Sequence, residues 1–202
     1  MIRQQALTVA AATLAAVVTV SACSSSGNQA TSSSTMSTGA SAASSSASAN
    51  QPHNQADVTF AQDMIPHHQQ AIQMSDIILA KQGIAPRVVQ LASQIKAEQG
   101  PEIQQMQSWL SQWGQPTISM SLGMVMPGML PDQDITALEN AQGVDAVKLF
   151  LTGMIQHHQG AIGMAQDEIK SGIYPPALAL AHAIVTTQQQ EITTMQGLLG
   201  SL

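Results

Sequence analysis

Histidine and methionine, side chains that ligate soft or borderline metals, are gathered in this chain into one phrase that occurs twice. Met64-Ile65-Pro66-His67-His68-Gln69-Gln70-Ala71-Ile72-Gln73-Met74 returns ninety positions later as Met154-Ile155-Gln156-His157-His158-Gln159-Gly160-Ala161-Ile162-Gly163-Met164. The two copies hold four of the six histidines and four of the twelve methionines. Thioether with imidazole favours copper, Cu(I) above all, over magnesium, calcium or manganese. Carboxylate with imidazole would instead suit iron or zinc. A helical methionine more often fills a core than binds a metal. Two His-His pairs, each bracketed by methionines, nevertheless point to a metal, with Met64, His67, His68, Met74, Met154, His157, His158 and Met164 as candidate ligands.

A second phrase follows each copy. Gln99-Gly100-Pro101-Glu102-Ile103-Gln104-Gln105-Met106 is matched by Gln188-Gln189-Gln190-Glu191-Ile192-Thr193-Thr194-Met195, now at an offset of eighty-nine, so one deletion separates the halves. Gln99, Glu102 and Met106 share a helical stripe, as do Gln188, Glu191 and Met195. A glutamate among apolar neighbours is costly unless a cation, a histidinium or a hydrogen-bond network meets it, or it is protonated. Glu102, Met106, Glu191 and Met195 are therefore weaker ligand candidates. So are Met120, Met124, Met126 and Met129, which lie in a Gly/Pro/Ser-rich stretch where no core requires methionine.

Helices must position these groups. At about 100° per residue, Phe60, Met64, His67, His68, Ala71, Met74, Ser75 and Ile78 fall on one side of a helix capped by Asp57 and ended at Lys81-Gln82-Gly83. Small Ala71 and Ala161 let neighbouring helices approach. Pro86 suits the first turn of a second helix reaching about Gln112. The second half repeats this from about Asp145 to Ser171 and from Pro176 to Leu199. Between the halves, Asp132 is the expected N-cap of a short helix through about Ala141, closed by Gly143. Pro66 and Pro101 should kink their helices. The fold class is thus all-α: a four-helix bundle of two duplicated helical hairpins, with a Met-rich connecting loop and a short linking helix. Adjacent histidines diverge by about 100°, so one of each pair faces the bundle axis and the other a helix interface or solvent.

The N-terminus predicts export. Residues 1–22 read as a signal peptide, with Arg3 before an apolar run too short to span a bilayer. Val20-Ser21-Ala22-Cys23 resembles a bacterial lipoprotein processing box, which would make Cys23 the lipidated first residue of the mature chain. Cys23 is the only cysteine, so neither a disulfide nor a thiolate site is available. Residues 23–56 read as a disordered Ser/Ala-rich tether in which Met36 and His53 are incidental. The domain spans 57–202. Without Arg3, five basic side chains face twelve acidic ones. That excess excludes nucleic-acid binding and docking on anionic lipid, leaving acyl chains as the membrane attachment. A homo-oligomer stays open.

The duplicated phrases resemble the bacterial "domain of unknown function 305" family over about Val58 to Leu199. The resemblance implies a ferritin-like four-helix domain and an association of exported members with copper binding or resistance. It assigns ligand roles to Met64, His67, His68 and Met74 and to Met154, His157, His158 and Met164. A ferritin-like di-iron centre would use Glu-x-x-His pairs, and none occurs here.

Three readings follow, in this order. The first is a lipid-anchored extracytoplasmic protein that sequesters or buffers copper. The second is a ferritin-like metal-dependent oxidoreductase, using iron or copper and disfavoured by the missing Glu-x-x-His. The third is a metal-free interaction module whose His/Glu networks only specify helix pairing.

Overall fold

Five helices and no strand make up the described residues, 51–118 and 126–202, of the computed structural model. They are α1 (Gln55–Leu79), α2 (Pro86–Gln112), α3 (Asp132–Asn140), α4 (Gly143–Ser171) and α5 (Pro175–Leu199). The expected signal peptide, Cys23, the tether as far as residue 50, and Met120 and Met124 lie outside the described residues.

Local chemistry sets the helix starts, and at three of them it departs from expectation. The cap of α1 is Asn54, not Asp57. The Asn54 side chain accepts from the backbone N–H of Ala56 (2.8 Å) and Asp57 (3.1 Å), while Asp57 Oδ2 accepts from Asn54 N at 2.6 Å. Two orphan donors are met reciprocally, so Asp57 is the third residue of a capping box. Pro131, with extended backbone, precedes α3 and leaves Asp132 inside the first turn, where its charge favours the helix N-terminus. Gly143 opens α4 instead of closing α3. Pro175 and Pro176 begin α5, where a missing N–H costs nothing. Both α1 and α2 run uninterrupted through Pro66 and Pro101.

The hairpins α1–α2 and α4–α5 meet mainly through α1 and α4, with α3 packed over both, whereas α2 and α5 touch sparingly. The apolar core forms two clusters. One includes Phe60, Met64, Met106, Leu110, Ala161 and Tyr174; the other includes Met74, Ile95, Phe150, Met154, Ile192 and Met195. Each long helix contributes to both, and its residues change cluster where it carries buried polar side chains. His67 and His68 on α1, Gln99 on α2, His157 and His158 on α4, and Gln188 and Glu191 on α5 form that polar waist. Each fully buried Met, Ile or Phe in the flanking clusters contributes roughly 1.5–3 kcal/mol, which holds the waist in place.

His53 stacks on Trp113 with ring centroids 4.5 Å apart. Trp109 and Trp113 both meet Tyr174 edge-on, at 5.6 and 5.0 Å. This aromatic group seals one end of the α1–α2 hairpin against the α4–α5 turn.

Candidate metal centre

The histidine pairs diverge as helix geometry requires, yet all four imidazoles are buried. His67 and His157 point into the α1–α4 interface, where their rings lie 3.8 Å apart between centroids at 44°. His68 and His158 point at the facing helices. His68 Nε2 lies 2.7 Å from Glu102 Oε2, and His158 Nε2 lies 2.8 Å from Glu191 Oε2. Each hairpin therefore closes one His–Glu pair, and the two hairpins meet through the other two histidines.

The methionines take unequal places. Pairing His68 with Glu102 on antiparallel helices sets Met64 opposite Met106 one turn away, on one side of the waist. The same register in the second hairpin sets Met154 opposite Met195, on the other side. All four thioethers are fully buried. Met74 shares the apolar cluster of Met154 and Met195 but lies more than one helical turn beyond the histidines of α1. Met164 is half-buried and lines a surface cleft with Phe60, Asp63 and Glu168. Met126 and Met129 are half-buried in the segment that links the hairpins.

That segment is the part of the site that sequence reasoning missed. His67 Nε2 donates to the Pro127 carbonyl at 3.0 Å, which leaves Nδ1 as the lone-pair nitrogen. Gln70 clamps the segment further on, its Nε2 donating to Leu130 O at 2.9 Å and its Oε1 accepting from Leu130 N at 2.8 Å. On the α4 side the chain comes too close for side chains. A Cβ on Gly128, which has φ +83°, would stand 2.6 Å from Gln156 O. One on Gly160 would collide with the Pro127 carbonyl, and one on Gly153 would lie 2.7 Å from Leu130 Cδ2. The signal was present as mismatches in the repeat: Gln70 against Gly160, and Asp63 against Gly153.

Burial governs the protonation of the waist. It lowers His67 to about 3, with His68 and His158 adding like-charge opposition that the Pro127 carbonyl partly offsets. Burial also lowers His157 well below the ordinary histidine range, ahead of its three histidine neighbours. His158 falls to about 3, chiefly by burial, while burial and then the Glu102 charge raise Glu191 to about 7. Burial thus keeps His67, His157 and His158 neutral at pH 7.

Several atoms of the four buried imidazoles have no hydrogen-bond partner. His67 Nδ1, His68 Nδ1, His158 Nδ1 and both nitrogens of His157 make no hydrogen bond. An unpaired buried polar atom costs about 1–3 kcal/mol, which a bound cation would recover. With four thioethers within a turn, the donor chemistry fits copper. No three His, Cys, Asp or Glu side chains among the described residues already stand together as a metal-holding group. The carboxylates are engaged with imidazoles instead.

The family model for the domain of unknown function DUF305 matches residues 57–199. Among solved structures, a DUF305 fragment from Deinococcus radiodurans is 34% identical, with a TM-score of 0.69 over 75% of this chain and 100% of that one. A DUF305 protein from Streptomyces coelicolor is also 34% identical, at a TM-score of 0.67 over 72% and 93%. CopM in its Cu(II)-bound form is 32% identical, at a TM-score of 0.63 over 72% and 96%. CopM has also been solved bound to Cu(I) and to silver. No curated protein matches. On the extent of the family match and of these relatives, the chain belongs to the DUF305 family.

Proposed function

We propose that this protein binds copper at the buried waist and sequesters or buffers it outside the cytoplasm. The observation that carries the reading is the set of unpartnered imidazole nitrogens on His67, His68, His157 and His158, enclosed between Met64/Met106 and Met154/Met195. His67 and His157 come from different hairpins, so one ion there would join the halves. Glu102 and Glu191 orient His68 and His158 by accepting from Nε2, as outer-shell carboxylates commonly do. Met126 and Met129, next in sequence to the Pro127 carbonyl that accepts from His67, would hand a soft ion inward. Structures of CopM with Cu(I), Cu(II) and silver, at 31–32% identity, support the reading. The domain would be a ferritin-like four-helix bundle, tethered through a lipid on Cys23.

Titrating purified protein with Cu(I) against a competing chelator tests the assignment. Tight binding is expected, and replacing all four waist histidines should weaken it at least a hundredfold. Unchanged affinity in that variant would remove the site. Lipid attachment predicts that Cys23→Ala releases the protein from membranes; retention in the membrane fraction would refute it.

One observation favours the metal-free reading: both His–Glu pairs are complete as they stand. Elemental analysis of untagged protein separates the two, since a structural waist would carry no metal.

A further inference from the structure

All four waist imidazoles are at most 1% exposed, so no ion reaches them unless part of the fold moves. The four long helices are poorly suited to move, because each buries side chains in both apolar clusters. The linking residues 126–130 are held differently. They cross from α1 to α4 as a strap over His67, and Leu130 is the one buried residue among them. Helix α1 grips the strap by three hydrogen bonds, one from His67 to Pro127 O and two between Gln70 and the Leu130 backbone. Helix α4 meets it through bare glycine, with Gly160 against Pro127 and Gly128, and Gly153 against the Leu130 side chain.

We infer that this strap is the gate of the waist: a soft ion enters and leaves when residues 126–130 lift off α4, and Gln70 is the latch that sets how often they do. The inference rests on the copper reading above and adds the route by which the site fills. Local opening favours the segment with the fewest buried apolar contacts, and here that is the strap. Lifting it breaks no helix. It frees His67 Nε2 from Pro127 O and uncovers the neighbouring His157 ring, 3.8 Å away between centroids. Met126 and Met129 ride on the moving piece, so thioethers that would first meet a soft ion travel with the gate. An opening equal in empty and loaded protein speeds entry and exit together and leaves affinity unchanged.

Stopped-flow loading of the full chain with Cu(I), and release of Cu(I) from loaded protein to excess chelator, test the gate. Gln70→Ala removes the latch without touching a histidine, a methionine or a glutamate. It should speed loading and release alike by about tenfold, with affinity held within about threefold. Gly160→Ala, whose Cβ would collide with the Pro127 carbonyl, pushes the strap from the other helix and should speed both steps in the same sense. It serves if Gln70→Ala fails to fold. In metal-free protein, carbethoxylation by diethyl pyrocarbonate, located by mass spectrometry, reads the same opening. In either variant it should rise at His67 and His157 ahead of His68 and His158, since global unfolding would expose all four alike. Unchanged copper rates in both variants, faster release with a matching loss of affinity, or an equal rise at all four histidines would each overturn the gate. Wild-type protein that binds no copper, with His67 and His157 still modified first in the variants, would overturn the copper reading and keep the gate.

Discussion

The two halves of the duplication differ most where they should be most alike, on the α1 and α4 faces that carry the histidines. Gln70 on α1 grips the linking segment by two backbone hydrogen bonds, while its counterpart Gly160 on α4 yields space to it. One strap crosses a two-fold arrangement once, so it must meet one helix with a side chain and the other with bare backbone. The His–Glu pairs also part company. Glu102 keeps 22% of its side chain exposed, against 4% for Glu191. Duplication supplies matched histidines and glutamates, and the strap then makes their surroundings unequal.

The largest expected effect concerns what the halves share. His67 and His157, one from each half, are buried without a carboxylate partner. Their folded pKa values lie below the unfolded 6.5, to about 3 for His67 and well below for His157. The unfolded chain then binds more protons between those values, so stability is full above pH 6.5 and falls as pH drops through the window. His158 adds little to this slope, because Glu191 at about 7 gains in the folded state the proton that His158 refuses. Metal-free protein should lose about 4 kcal/mol between pH 7 and pH 4.5 in urea titrations. A flat profile would show that water reaches these rings.

Next comes the strap itself. Gly160→Val forces a side chain into the Pro127 carbonyl and should cost about 3 kcal/mol, while freeing His67 from its acceptor. Gln70→Ala leaves the buried Leu130 backbone groups unpaired and should cost about 2 kcal/mol. Because both act on the same stretch, Pro127 to Leu130, their effects in a double-mutant cycle should couple by more than about 0.5 kcal/mol. Strict additivity would mean that the two helices hold the segment independently.

The sequence made the hairpins legible because each phrase keeps a helical stripe and recurs at nearly constant offset. The glutamates were read on the facing helices, but which histidine of each pair meets them comes only with packing, which turns His68 and His158 to Glu102 and Glu191. The strap was not legible. Gly153 and Gly160 look like ordinary repeat drift until the backbone of Pro127 and Gly128 lies against them. Asn54 was hidden for a different reason: polar residues Asn50 to Gln55 continue the Ser/Ala run without a break and obscure the Asn54-x-x-Asp57 capping box. Met164 illustrates the limit of spacing arguments. It shares a stripe with Met154 and His157, yet ten residues of rise carry it to a surface cleft.

The smallest expected effect isolates a difference far from the waist. Glu168 stands in the second half where the first has the fully buried Ile78. It lies beside Asp57, whose Oδ1 accepts from Ile173 N at 3.0 Å and Tyr174 N at 2.9 Å, joining the start of α1 to the α4–α5 turn. Burial, and then Asp57, raises the Glu168 carboxyl to about 8. A raised carboxyl pKa makes the folded state the better proton acceptor, so stability falls as pH climbs from 4.5 through 8. The carboxyl borders a surface cleft, so solvent screens the effect to about 1 kcal/mol. Glu168→Gln should therefore stabilise the protein by about that much at pH 8.5 and hardly at all at pH 5. An equal gain at both pH values would place the benefit in packing, and the two halves would then differ there in shape rather than in charge.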